Sequence, residues 1–357
     1  MLYFDVTKSA KSRHQSGLTR VSRRLLEVLQ KAEPENVRAV YWDDRKSVFR
    51  SQADRVVLEP VESDWILTPE LFDEENRPGF GDFLEKTKAR TAAIFHDAIP
   101  LRHPEITWPQ SVARHPFYMK MLARFDRVLT VSESVGVDLA EYWDWLRIKA
   151  RASVHAIHLG ADFTGAPRRD PSSHTPWRER DQILVLGILE PRKNQEMVLE
   201  ALSFLWKQSF PARLALVGRV NPHFGQEIPK KVKALKKAGY PVEYYGQVED
   251  HELLDLYEQS RCLLFPSLAE GCGLPVLEAM WQGLPVLANG IPSVRENAAG
   301  GGCHLIDCAH ADALSEALLH LWDKADFWER LETEVAGRPL PTWVETGGQV
   351  LALLSES

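Results

Sequence analysis

Short β-rich runs alternating with amphipathic helical patterns predict an α/β fold: two Rossmann-like, doubly wound domains facing each other across a cleft. Three observations carry that prediction. The chain has 357 residues, more than one ordinary hydrophobic core organises. The strand–helix alternation runs through the sequence twice. A stretch rich in Pro, Ser and charge, without periodicity, separates the two runs.

In the first run the strands read LYFDV, VRAVYW, WILT, AAIFHD, RVLTVS and VHAIHL. The helix after LYFDV places Val21, Leu25, Leu26 and Leu29 on one face, with Thr19 as its cap. In the second run Ile183 to Ile188 reads as a buried parallel strand, followed by a helix from Gln195 to Trp206. LALVG, VEYYGQV, CLLFPS, PVLAN and CHLID continue the strands. Between them KKVKALKKAG, HELLDLYEQS, PVLEAMWQ and ADALSEALLHLW carry apolar residues three or four apart. The expected boundaries are a first domain over 1–165, a linker over 166–180, a second domain over 181–340, and a C-terminal helix over 341–357 that returns to the first domain.

Bulk properties narrow the function. Hydrophobic residues make up 44% and charged residues 26%, the balance of a soluble globular protein. No apolar run approaches the roughly 20 residues that span a bilayer, and MLYFDVTKSAKSR lacks signal-peptide architecture, so a cytoplasmic protein is expected. Residues 1–167 hold as many acidic as basic side chains, and the net charge of -7 falls on the remainder, which argues against nucleic acid as a partner. Cys262, Cys272, Cys303 and Cys308 fit no zinc or redox spacing.

The stretch PSLAEGCGLPVLEAM holds the chemistry. Glu270 and Glu278 are separated by seven residues, with Gly271, Gly273 and Pro275 between them. After the strand CLLFPS the chain bends through the glycines, and Pro275 opens a helix. The bend presents the amides of Cys272, Gly273 and Leu274 at a helix amino terminus, where the dipole favours an anion. A second helix start follows ILVLGI, where LGILEPRKN brings Arg192 and Lys193 to the carboxyl end of the strand; a guanidinium and an ammonium suit a diphosphate. In the first domain IFHDAIP ends a strand on His96 and Asp97, and Gly17 precedes the first helix, permitting close backbone approach. Each feature also has a plain structural reading: dipole complement, surface pair, strand-end histidine, ordinary turn. Their expected convergence on one cleft favours a binding site. No Asp-x-Asp metal site stands at a plausible strand end, so no metal is expected.

Glu270 and Glu278 with G-x-G-L-P between them, LFPS before and EAM-x-x-G-x-PV after resemble the signature of the retaining nucleotide-sugar glycosyltransferases of family 4, which have the GT-B fold. The likeness extends to the Gly17 loop, HDAIP, VLTVSES, LGILEPRKN, YGQVED and TWVETGGQVLALL. It implies that Arg192 and Lys193 neutralise a donor diphosphate, with Gly17 and the Gly273 and Leu274 amides completing the cradle. Glu278 would accept the ribose hydroxyls and Glu270 would hold hydroxyls of the transferred sugar. Val248 and Asp250 would contact the base, Asp250 also reading as a helix cap, and His96 would sit by the sugar and the acceptor.

HDAIPLRHPE is similar to bacterial mannosyltransferases of this family that use GDP-mannose to build O-antigen, which makes GDP-mannose the favoured donor. A saccharide or lipid-linked saccharide is the expected acceptor, and Arg20, Arg23 and Arg24 with Leu25 and Leu26 offer a basic amphipathic face for peripheral membrane association. Three departures stand out: Cys272 replaces an aromatic, HLGADF replaces an Asn-Gly-Val-Asp turn, and SVRENAAG lacks a Pro-Glu pair while keeping Glu296. A nucleotide-sugar epimerase of the same fold, or a non-catalytic sugar-nucleotide-binding subunit, remains the alternative.

Overall fold

A computed structural model describes residues 1–11, 17–162, 165–173 and 175–356. The chain divides into two compact units, residues 1–160 with 341–357, and residues 161–340.

The first unit is built on a seven-stranded sheet. Its strands are β1 (Leu2–Asp5), β2 (Val37–Asp43), β3 (Val48–Ser51), β4 (Trp65–Thr68), β5 (Arg90–Phe95), β6 (Arg127–Thr130) and β7 (Ser153–Ala156), in the order β3-β2-β1-β4-β5-β6-β7. All neighbours are parallel except β2 and β3. The antiparallel edge is held by aromatic packing: Phe49 of β3 and Trp42 of β2 are each 1% exposed and meet edge to face with ring centres 5.1 Å apart. The helix Gly17–Ala32 follows β1 and buries Val21, Leu25, Val28 and Leu29. Thr19 lies inside that helix, two residues past its first, so it does not cap it. The helix Trp343–Ser355 packs on Gly17–Ala32, so closely that a Cβ at Gly347 would stand 2.9 Å from Val28. Its own start is a capping box, with the Thr342 hydroxyl accepting from the Glu345 amide and the Glu345 carboxylate accepting from the Thr342 amide.

The second unit carries a six-stranded parallel sheet of β8 (Gln182–Leu186), β9 (Arg213–Val217), β10 (Val242–Gly246), β11 (Ser260–Phe265), β12 (Val286–Asn289) and β13 (Cys303–Ile306). Their order is β10-β9-β8-β11-β12-β13. Side chains alternate across the sheet. Ile183 and Val185 of β8 join Leu214, Leu216 and Leu264 in one core, whereas Leu184 and Leu186 join Ala215, Val217 and Phe265 in the other. Helices cover both faces, as a parallel sheet of near-continuous apolar strands requires.

Residues 166–180, expected as a linker, pack within this unit. Trp177 enters one of its cores, and Arg180 donates to Ser260 O at 2.7 Å and to Glu332 at 2.5 Å. Buried anchors inside a Pro- and Ser-rich stretch explain why composition alone reads it as free chain.

Candidate functional site

In both sheets the strand order reverses between two central neighbours, β1 and β4 in the first, β8 and β11 in the second. At such a switch point the loops leaving adjacent strands turn to opposite faces and open a crevice at the carboxyl ends. Arg192 and Lys193 follow β8, and the glutamate motif follows β11. The topology thus brings together two segments nearly eighty residues apart in sequence.

The β8 loop turns through Pro191–Lys193 to Asn194, which adopts the left-handed conformation (φ 56°) tolerated by Asn and starts the helix Gln195–Trp206. The Asn194 side chain donates to Cys308 O at 2.9 Å. Gly187, at φ 137°, leaves room for the Lys193 stem: a Cβ there would stand 3.1 Å from Lys193 Cε. The β8 and β11 loops are stitched directly, Leu268 N donating to Arg192 O at 2.8 Å and Arg192 Nη1 donating to Ala269 O at 2.9 Å.

The β11 loop then reaches Gly273, in the left-handed region at φ 75°, which starts the helix Leu274–Trp281. The helix Pro292–Ala298 braces this bend through residues four apart on one face. Ser293 Oγ donates to Glu270 O at 2.9 Å, and Asn297 Nδ2 donates to Cys272 O at 2.6 Å. These two residues lie inside the SVRENAAG segment and were missed by sequence reasoning, although their i, i+4 spacing was visible.

Electrostatically the site is a closed cluster. Glu270 receives Lys193 Nζ at 2.6 Å on one oxygen and Arg192 Nη1 at 2.9 Å on the other. The side chains of Lys193 and Glu270 are only 9% and 10% exposed. Burial alone would raise the Glu270 pKa, but Arg192 and Lys193 overcome it and hold the carboxyl down at about 2. Burial lowers the Lys193 pKa, opposed by Glu270, and its ammonium also lies 5.1 Å from the centre of the Phe265 ring. Glu190, which sequence reasoning did not single out, meets Arg192 Nη2 at 2.8 Å.

Glu278 is 3% exposed on the second turn of Leu274–Trp281, among otherwise apolar residues. Cys272 packs partly buried against the adjoining core, and burial pushes its thiol up to about 12. Val248 also packs on that core. Asp250 is the first residue of the helix Asp250–Gln259 and does not cap it. Glu249 does, in a capping box with Glu252, because that carboxylate and not Asp250 precedes the first helical turn.

In the first unit His96 follows β5, 7% exposed, with Nε2 2.7 Å from Pro69 O. The carbonyl can only accept, so Nε2 carries the proton, and burial lowers the pKa of the ring. His115 makes the same kind of bond to Asp97 O at 2.8 Å and is lowered for the same reason. At the β1/β4 switch point Glu70 accepts from the amides of Lys8 and Ser9, each at 2.6 Å, while Arg77 bridges Asp5 at 2.5 Å and Glu70 at 3.4 Å. This buried triad pins the start of the segment leading to Gly17; an acidic residue at or just past the end of each central strand was its sequence signal. Gly17 itself is exposed, and a Cβ there would meet nothing within 4 Å, while the preceding residues 12–16 lie outside the described ones.

Of the basic face on the first helix, Leu25 is fully buried and belongs to the core, Arg24 pairs with Glu27 at 2.7 Å, and Arg23 donates to Ser9 O. Among the described residues no helix is long and apolar enough to cross a membrane, and no three His, Cys, Asp or Glu side chains gather in metal-binding geometry.

Residues 169–335 match the family model of glycosyl transferases group 1. Over 323 residues, 83% of this chain, the sequence is 30% identical to the serotype-specific mannosyltransferase WbdA of Escherichia coli, spanning 39% of that relative's length. Sucrose-phosphate synthase from Thermosynechococcus elongatus superposes with a TM-score of 0.73 over 99% of this chain and 97% of its own, at 16% identity. HepE of Anabaena, in complex with UDP and glucose, gives 0.68 over 99% of both chains at 14% identity. The chain has the GT-B fold, and residues 169–335 of its second unit are similar to the glycosyl transferases group 1 family.

Proposed function

We propose that the chain is a retaining, metal-independent hexosyltransferase that moves mannose from GDP-mannose to a saccharide or lipid-linked saccharide acceptor. The observation that supports the reading is the meeting, at the β8/β11 switch point, of Arg192 and Lys193 with Glu270, in the loop that bends through Gly273 into the helix Leu274–Trp281. Departure of a nucleoside diphosphate builds negative charge on phosphate, and prearranged cations and amides stabilise it. Arg192 and Lys193 supply in this way the charge that a divalent metal supplies elsewhere. Gly17 allows close approach of the backbone to the donor, Glu278 accepts the ribose hydroxyls, Glu270 holds hydroxyls of the sugar, and Val248 and Asp250 lie by the base. His96, neutral with its proton fixed on Nε2, offers Nδ1 as an acceptor beside the sugar and the incoming acceptor.

Glu270 and Glu278 do not flank a scissile bond as the carboxylates of a retaining glycosidase do. In line with the family resemblance, the acceptor oxygen attacks the anomeric carbon from the face the diphosphate leaves, the C–O bond to phosphate breaks, and a donor phosphate oxygen takes the acceptor proton. The mannosyltransferase name of the relative WbdA supports the choice of sugar. An enzyme with a lipid-linked acceptor would work in the cytoplasm at the inner face of the membrane.

Replacing Arg192 or Lys193 by Ala is expected to cost about 3 to 4 kcal/mol of transition-state stabilisation, on the order of a hundredfold in turnover. Product anomers read by NMR, with GDP-mannose as donor and chelator present, test retention and metal independence together. An inverted product, or turnover indifferent to both substitutions, refutes the assignment. A thermal-shift panel of GDP, UDP, dTDP and ADP identifies the base, because binding to the native state raises its stability.

A further inference from the structure

Glu190 stands beside the cation pair but holds none of the ligand roles just described. Its backbone is extended (φ -158°, ψ 158°) at the start of the turn Pro191–Lys193, and its side chain is 14% exposed. One oxygen accepts from Arg192 twice, from Nε at 3.0 Å and Nη2 at 2.8 Å. The other accepts from Asn221 Nδ2 at 2.9 Å. Asn221 is fixed in turn, since its amide donates to Leu189 O and its neighbour Val220 bridges Leu189. On the opposite edge of the guanidinium, Nη1 reaches Ala269 O and Glu270. Arg192 is thus gripped from two sides, by Glu190, which Asn221 orients, and by the β11 loop.

We propose that Glu190, oriented by Asn221, is a positioning residue that sets the plane of the Arg192 guanidinium for the donor diphosphate. The inference rests on the diphosphate role of Arg192 given above. Without Glu190 the guanidinium is held on one side only, and it can rotate into a fork-to-fork pair with Glu270 that turns its plane away from a ligand. Simple electrostatics predicts the opposite outcome: deleting a carboxylate beside an anion pocket should tighten anion binding. The two effects differ in sign.

The test is calorimetric binding of inorganic pyrophosphate to the full chain, with thermal melts on each variant. Glu190→Ala is expected to weaken binding about tenfold or more, the loss of one charge-assisted hydrogen-bond contact. Glu190→Gln, which removes the same charge but keeps an oxygen for Arg192 to hold, is expected to recover to within about threefold of the parent. In an Arg192→Ala background, Glu190→Ala should cause no further loss. Equal effects of Ala and Gln, tighter binding by Glu190→Ala, or a loss that persists without Arg192 each overturns the proposal. If Arg192→Ala alone leaves pyrophosphate binding unchanged, the diphosphate reading fails and this inference falls with it. A loss with Arg192→Ala but none with Glu190→Ala removes only the positioning role. Should Glu190→Ala fail to fold, Asn221→Ala carries the test, with about threefold weaker binding expected and unchanged binding overturning the proposal.

Discussion

Glu270 is the residue on which the site's charges balance. Both of its oxygens accept from cations, so in the proposed reading a diphosphate competes with it for Arg192 and Lys193. Glu270→Gln is therefore expected to bind inorganic pyrophosphate about tenfold tighter, by roughly one charge-assisted interaction, while transfer from GDP-mannose is lost. Weaker pyrophosphate binding in that variant would show that Glu270 builds the anion pocket instead of screening it. The same pair has a pH signature. With the folded carboxyl at about 2 and the ordinary value at 4.5, its contribution to stability is complete above pH 4.5 and is lost as pH falls toward 2. His115 works at milder acidity. Its folded pKa lies below 6.5, so below that pH the unfolded chain takes up a proton the native ring refuses, and stability falls by up to about 1.4 kcal/mol per pH unit. His115→Gln keeps a donor for Asp97 O, and urea midpoints between pH 7.5 and 5.5 should flatten accordingly; an unchanged slope would mean the ring ionises freely in the fold.

At the scale of elements, the helix Leu274–Trp281 shows what the site demands of the backbone. Gly273 turns the chain at φ 75° into this helix, the bend that the proposed diphosphate site needs, and Asn297 and Val294 stand 3.4 Å from where a Cβ would lie. Gly273→Ala is expected to cost about 1 to 2 kcal/mol of stability from the left-handed backbone alone, and to weaken pyrophosphate binding as the amides tilt. Chemical denaturation beside calorimetry checks both; a stable variant with intact binding would mean that the bend tolerates side chains. This helix was legible in advance because Gly, Pro and apolar periodicity all pointed to one boundary. The helix Gln195–Trp206 was legible for a similar reason, and so were the twelve parallel-sheet strands, each an apolar run between turn residues. The antiparallel strand VFRS was missed, since four residues with Arg and Ser lack an apolar run and Phe49 alone secures it to Trp42. The end caps were read less well: Thr19 and Asp250 are good capping residues in the wrong place, each lying inside the helix it was expected to cap, a boundary that only backbone geometry decides. In the site, Glu270, Arg192 and Lys193 were legible from strand-end position. Ser293 and Asn297 were not, because their partners are backbone carbonyls of another loop, and Glu190 was not, because it is Asn221 of a different loop that orients it.

For the molecule as a whole, the chain leaves its first unit after Gly160, builds the second, and returns at Pro341 to finish the first. The returning helix is structural core: Trp343 is 2% exposed, Val350 0% and Leu354 4%. Gly160 is kept bare by it, since a Cβ there would lie 2.3 Å from Trp343 N. Burying each large side chain contributes about 1.5 to 3 kcal/mol, so removing residues 341–357 withdraws an amount comparable with the whole stability of a domain. Glu190, Arg192, Lys193, Glu270 and the Gly273 bend all lie within the second unit, residues 161–340. Truncation at Leu340 is therefore expected to abolish amide protection across residues 1–160 while leaving that of 161–340, and to abolish transfer while leaving pyrophosphate affinity within about threefold of the full chain. Hydrogen exchange and calorimetry on the truncated chain separate these outcomes. If pyrophosphate binding disappears while the 161–340 amides stay protected, the anion grip does not belong to the second unit alone, and the assignment of the diphosphate to the β8/β11 switch point fails.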